Sequence, residues 1–253
     1  MQKHDLTKPS FLLFLFVVGI RQLTAATATA MFSESIRDLA YVLTNILFIA
    51  VSILLIKTTH GSFRDHGFWI PRDWRGSLAV TLFLALAYML ITVFLPGSFW
   101  GFESFPTGSL SYFSLDFLNN LLTYFAVESV FRGYIQRNLT KAHGFYNALF
   151  MSAVMSILYV FSIQTYAQLD ITTIVYTLSL FFEAVFLGFF FQRSRTLLCP
   201  IVFGAVASTL YRFTPLVVTA PQHTVLLFKV IAYVILVPSI YILLARKAEM
   251  VAR

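Results

Sequence analysis

Glu128 and Arg132 stand four residues apart in Tyr124-Phe125-Ala126-Val127-Glu128-Ser129-Val130-Phe131-Arg132-Gly133-Tyr134-Ile135-Gln136. On a helix an acid and a cation at that spacing share one face and can pair. Glu128 is therefore a candidate base or metal ligand, with Arg132 as its electrostatic partner. Glu183 is a second acid in apolar sequence, inside Leu178-Ser179-Leu180-Phe181-Phe182-Glu183-Ala184-Val185-Phe186, with no cation beside it. Two such carboxylates could hold an ion or share a proton. Catalytic zinc asks for more, usually three protein ligands and an open position for water.

The histidines do not supply those ligands. They are His4, His60, His66, His143 and His223, and none lies clearly within an apolar run. His60 and His66 share a connection with Asp65 and Asp73, a loose metal set for which a solvated loop is the simpler reading. His143 and Asn147 fall where a loop enters a helix. Cys199 precedes Pro200 near Arg193 and Arg195, surroundings that could activate a thiolate. A lone small cysteine at a helix start more often serves packing. A single cysteine also excludes an intrachain disulfide.

These residues must be positioned in lipid. Of 253 residues, 58% are hydrophobic and only 11% charged, and the mean hydropathy is +0.80. Soluble domains are nearer a quarter charged, so this composition excludes a water-soluble enzyme and a disordered chain. The net charge of +7 comes without a basic run interleaved with aromatics, so no nucleic-acid footprint is present. A helix needs about 20 apolar residues to cross the hydrocarbon core. Eight stretches qualify, about 10–31, 38–57, 76–95, 116–134, 145–164, 171–192, 198–218 and 225–245. The expected fold is an all-α polytopic bundle, one integral membrane domain over residues 1–253.

Thirteen of the 18 Lys and Arg lie in the odd-numbered connections and one, Arg37, in the even-numbered ones. The positive-inside rule then predicts that both termini are cytoplasmic. The other four, Arg21, Arg132, Arg212 and Lys229, fall within spans. Glu183 would find its counter-ion among Arg21, Arg212 or Lys229, while Arg212 and Lys229 are close enough to span ends to snorkel. The connection 96–115, rich in aromatics and turn formers, reads as an interfacial belt rather than a lid.

The segment 124–136 resembles the first motif of the CAAX-protease and bacteriocin-processing family of intramembrane metalloproteases, relatives of the type II CAAX prenyl endopeptidase. That motif is Glu-Glu-x-x-x-Arg followed by Gly and an apolar–Gln pair. Glu128, Phe131, Arg132, Gly133 and Gln136 match, and Val127 replaces the first Glu. The connector His66–Gly76 and the hairpin Gly188–Ile201 also resemble family segments, so the similarity covers roughly 60–210. The resemblance implies a Phe-x-x-x-His and a His-x-x-x-Asn motif on later helices. At those positions stand Tyr159 (or Val160 one register on), Gly204 and Ser208.

The resemblance thus implies a family fold without its metal set. The first expectation is a membrane protein that has lost zinc and peptidase activity, and that binds a hydrophobic peptide or a membrane-protein partner. Glu128 and Arg132 would be its remnant catalytic pair, and Tyr159, Glu183, Gly204 and Ser208 would line the cavity. The alternatives are an active zinc peptidase with Glu128 and Glu183 as carboxylates, and a small transporter or lipid-binding protein. Membrane lipid is the one partner common to all three.

Overall fold

The computed structural model describes residues 6–31, 34–59, 61–104, 110–161, 170–213 and 216–251. Every one of the eight apolar stretches carries a helix. These are α1 (Thr7–Met31), α2 (Glu34–Thr58), α3 (Trp74–Met89), α5 (Leu110–Glu128), α7 (Phe145–Val160), α8 (Ile171–Ser194), α9 (Leu198–Phe213) and α10 (Gln222–Val251). Two runs are extended by π-helical turns. Leu90–Phe94 leads from α3 into α4 (Leu95–Trp100), and Ser129–Gln136 leads from α5 into α6 (Arg137–His143). Thr7–Ala26, Asp38–Thr58, Trp74–Trp100, Ile171–Ser194 and Gln222–Leu243 are each long and apolar enough to cross a membrane; Phe145–Val160 and Leu198–Arg212 are shorter apolar helices. The chain is a helical integral membrane protein.

Hydroxyl side chains inside these helices are satisfied locally. Thr44, Ser52, Thr81, Thr92 and Ser156 each donate to the carbonyl four residues back. This leaves no hydroxyl proton of theirs to be solvated by lipid. Asp73 and Asp170 cap α3 and α8 by accepting from the backbone N–H of Gly76 and Thr173. The hydrogen bonds from Thr173 hold the Asp170 carboxyl below its usual range.

Apolar side chains build two cores. One joins α1, α2, the motif helix and α7, through Val17, Phe48, Val130, Phe131 and Tyr159. The other joins α3, α8, α9 and α10, through Tyr88, Phe186, Phe190, Phe203 and Tyr233. Large residues such as Leu12, Leu54, Phe83 and Ile235 point away from both, as lipid-facing positions do. Cys199 is buried in the second core, which fits the packing reading.

At one end of the bundle the connection 61–73 folds back onto the α8–α9 hairpin. The Leu197 N–H donates to the Gly67 carbonyl, the Thr196 hydroxyl to the Trp69 carbonyl, and the Trp69 indole to the Arg195 carbonyl. Gly67 has φ +83°, and a Cβ there would also meet Phe191 at 2.5 Å, so both conformation and space require glycine. His66 is buried under this clasp, which corrects the expectation of a solvated loop. Its predicted companion His60 lies outside the described residues, as does His4.

At the opposite end, β1 (Phe102–Ser104) pairs antiparallel with β2 (Leu216–Val218). The Thr219 hydroxyl donates to the Trp100 carbonyl, and the Trp100 ring meets Phe228 edge-on at 6.1 Å. The aromatic connection is thus a folded cap tied to α10, and its residues 105–109 lie outside the described part. Strand pairing is a difference from the expected turns.

Candidate functional site

Glu128 is the last residue of α5, and the next eight residues, all buried, run as π-helix. Wide turns of this kind recur where a helix must re-aim side chains at a functional site. Glu128 Oε2 lies 3.4 Å from Arg132 Nε, and both side chains are 2% exposed or less. The rest of the guanidinium is committed elsewhere. Nη1 donates to Ser156 Oγ on α7 and Nη2 to the Ala184 carbonyl on α8, each at 3.0 Å. One turn on, Gln136 Nε2 donates to the Gly188 carbonyl at 3.2 Å. Arg132 therefore ties the motif helix to the helices on either side of the seam between the two cores.

Tyr124, one turn before Glu128, organises a second cluster. Its hydroxyl donates to Glu183 Oε1 at 3.1 Å and lies 2.9 Å from Ser208 Oγ. With its one proton on the carboxylate, the phenol accepts from the serine. Tyr233 of α10 also bonds Glu183, and Tyr88 of α3 bonds Tyr233. Four helices besides α8 thus contribute a hydroxyl to this network, α3, α5, α9 and α10. Lys229 is the nearest opposing charge in effect, ahead of Arg132, and its Nζ sits 4.2 Å over the Tyr211 ring. Of the three counter-ions considered for Glu183, only Lys229 takes that place. Arg212 pairs with Asp116 at 2.8 Å, and Arg21 stacks on Tyr41 at 4.7 Å.

Gly204 faces the same cluster. A Cβ built there would lie 2.2 Å from two ring carbons of Tyr124. The Tyr124 ring therefore occupies the space into which a side chain at residue 204 would grow. Glu128 and Glu183 are within electrostatic reach of one another, so the two clusters are neighbours.

Tyr159 stands apart from this arrangement. Its ring packs on Phe131 at 5.4 Å and Phe48 at 6.1 Å, with the Arg21 guanidinium 5.9 Å from its centroid. It belongs to the first core rather than to the polar network. The α7 residue that meets the motif is Ser156, three positions earlier. Sequence reasoning missed Ser156, Tyr124 and Tyr233. The available signal was their polar atoms at membrane depth, which for Tyr is masked by an aromatic body that packs anywhere apolar.

Among the described residues, no three His, Cys, Asp or Glu side chains come together as a metal-binding group. His143 accepts or donates to Thr7 Oγ1 at 2.9 Å at the bundle end, and the Asn147 side chain bonds the His143 carbonyl. A zinc site built from histidines is not matched by this donor set.

No match was found among curated protein sequences. The family model described as type II CAAX prenyl endopeptidase Rce1-like matches residues 112–210, well under half of the chain. That stretch contains Glu128, Arg132, Tyr159, Glu183, Gly204 and Ser208, so over it the chain is similar to the CAAX-protease family.

Proposed function

We infer that this protein is a CAAX-protease-like membrane protein that has given up metal-dependent peptidase chemistry and binds a hydrophobic peptide or a membrane-protein partner. The reading includes eight crossings with both termini cytoplasmic. The observation that carries it is the Tyr124 ring set against Gly204, with its hydroxyl joined to Ser208 and Glu183. The resemblance puts a histidine and an asparagine at residues 204 and 208. Here the first position lacks a side chain and the second carries a hydroxyl already paired with Tyr124.

The remaining residues suit binding better than hydrolysis. Glu128 is held beside Arg132, whose other nitrogens are bonded to neighbouring helices, so the pair fixes helix positions. A buried ion pair of this kind is most readily understood as setting register. The Glu183 network offers hydroxyls, a carboxylate and an ammonium to a polar group of a peptide entering from lipid.

The test is purification of the full chain in a mild detergent, metal analysis, and incubation with a fluorogenic peptide panel. The expected result is substoichiometric zinc and no chelator-sensitive cleavage. Stoichiometric zinc, or cleavage abolished by chelator and by Glu128→Gln, overturns the reading in favour of an active peptidase. Ion or solute flux in liposomes that Glu183→Gln abolishes would instead establish a transporter.

A further inference from the structure

The surface of the clasped end gathers arginines that no acid answers. Arg64, Arg72, Arg75, Arg193 and Arg195 are all exposed there. None forms an ion pair among the described residues, where the pairs are Glu128–Arg132 and Asp116–Arg212. The acids of the same connection are Asp65, which pairs with none of them, and Asp73, whose carboxylate caps α3. Three of the guanidinium groups lie over aromatic rings, Arg64 over Trp69 at 5.0 Å, Arg75 over Trp74 at 5.5 Å and Arg193 over Tyr241 at 3.9 Å. A ring against its face steadies a guanidinium and leaves the N–H edges free, the form in which arginine meets a phosphate.

Arg195 adds an independent observation. It follows α8 in the left-handed region, at φ 55°, with its N–H donating to the Phe191 carbonyl at 2.8 Å. Helices that end this way favour glycine at that position, because a side chain there is strained. Among the described residues Arg195 is the one non-glycine with positive φ. Its carbonyl accepts from the Trp69 indole at 2.7 Å, and the Trp69 ring carries Arg64. The fold therefore keeps a strained residue where it brings one cation towards another. Strain held against charge repulsion points to a bound anion.

The neighbouring side chains decide which anion. Phe63, Ile70 and Trp74 alternate with the arginines along the connection and are 37%, 71% and 44% exposed. Cations interleaved with exposed apolar side chains suit the boundary between headgroups and acyl chains. The connection joins α2 to α3, and Tyr241 lies near the end of the apolar span Gln222–Leu243, so the patch stands where the spanning helices end. An acidic segment of a soluble protein would answer the charge alone. A lipid answers both, with its phosphate for the arginines and its chains for Ile70 and Trp74.

We propose that Arg64, Arg193 and Arg195, with Trp69, Ile70 and Trp74, form a docking surface for the phosphate headgroup of an anionic membrane lipid. The surface is separate from the Tyr124–Glu183 cluster and does not depend on what that cluster binds.

The experiment titrates the full chain in nonionic detergent with short-chain phosphatidylglycerol or short-chain phosphatidylcholine, and counts bound lipid by native mass spectrometry. Saturable retention of phosphatidylglycerol in preference to phosphatidylcholine is expected. Arg64→Gln and Arg195→Gln should each weaken it about fivefold, the pull of one basic side chain on an anionic surface. Lys8→Gln removes an exposed charge from α1, a helix of the other core, and should leave retention unchanged. Arg195→Gly should weaken retention as Arg195→Gln does, yet raise the melting temperature without lipid, because glycine relieves the strained φ. Equal retention of the two lipids overturns the proposal, as does a loss in Lys8→Gln matching that in Arg195→Gln. No rise in melting temperature for Arg195→Gly also overturns it. So does tighter binding of a soluble polyglutamate peptide than of phosphatidylglycerol, which would assign the surface to a protein partner.

Discussion

A Cβ on Gly204 would lie 2.2 Å from the ring of Tyr124, so the two positions cannot both carry a side chain as the helices stand. This exclusion has direct consequences for residues on both sides of it.

Gly204→Ala should destabilise the fold by about 1–3 kcal/mol, the range for an overpacked interior. Combining it with Tyr124→Leu should recover part of that loss, because a flexible aliphatic side chain can yield where a ring cannot. Thermal unfolding in detergent of the two single variants and the double variant measures the coupling. Additive losses would contradict the shared space.

Arg132→Met should cost about 3–5 kcal/mol, since it strands Glu128 without its partner in the interior. Adding Glu128→Leu should restore much of the loss. The same unfolding assay tests this, and a double variant as unstable as the single would show that Ser156 and the Ala184 carbonyl matter more than the acid.

Burial holds the His66 imidazole below its usual value, with the Lys141 charge acting in the same direction. The unfolded chain therefore takes up the proton first as pH falls. Stability from this residue is full above pH 6.5, the ordinary histidine value, and declines as pH drops below it. Melting temperatures compared at pH 7.5 and 5.5, values chosen about a unit either side of that pKa, should fall on acidification. His66→Gln should flatten the change.

Gly67→Ala forces a side chain into φ +83° and against Phe191, so it should cost more than about 1 kcal/mol. Hydrogen exchange should rise at Leu197, whose N–H is held by the Gly67 carbonyl, before it rises within α9.

Helix placement was legible because lipid demands long apolar runs, and each of the eight runs from 10–31 to 225–245 carries a helix. Glu128 and Arg132 were legible too, since an i,i+4 pair in apolar sequence has few uses. The site's remaining members were not. Tyr124 reads as one more aromatic in a chain with 28 Phe and 12 Tyr, and only packing brings it against Gly204 and Glu183. Tyr159 occupies a motif position by sequence count, yet packs on Phe131 and Phe48 in the other core. The π-helical turns have no residue signature, so a count along an ideal helix drifts across Ser129–Gln136. His66 looked solvated because turn-rich connections usually are; here Gly67 lets the chain press onto the hairpin instead.

The bonds from Arg132 to Ala184 and from Gln136 to Gly188 advance four residues on both helices. The motif helix and α8 therefore run in the same direction, which fits one intervening crossing by α7. Two rungs one turn apart also act as a vernier. Sliding by a turn, about 5.4 Å, would set Arg132 opposite the Gly188 carbonyl and leave Gln136 without a rung. A signal arriving at one end of this helix pair could swivel the neighbours around it, but could not ratchet the pair itself without breaking both rungs together.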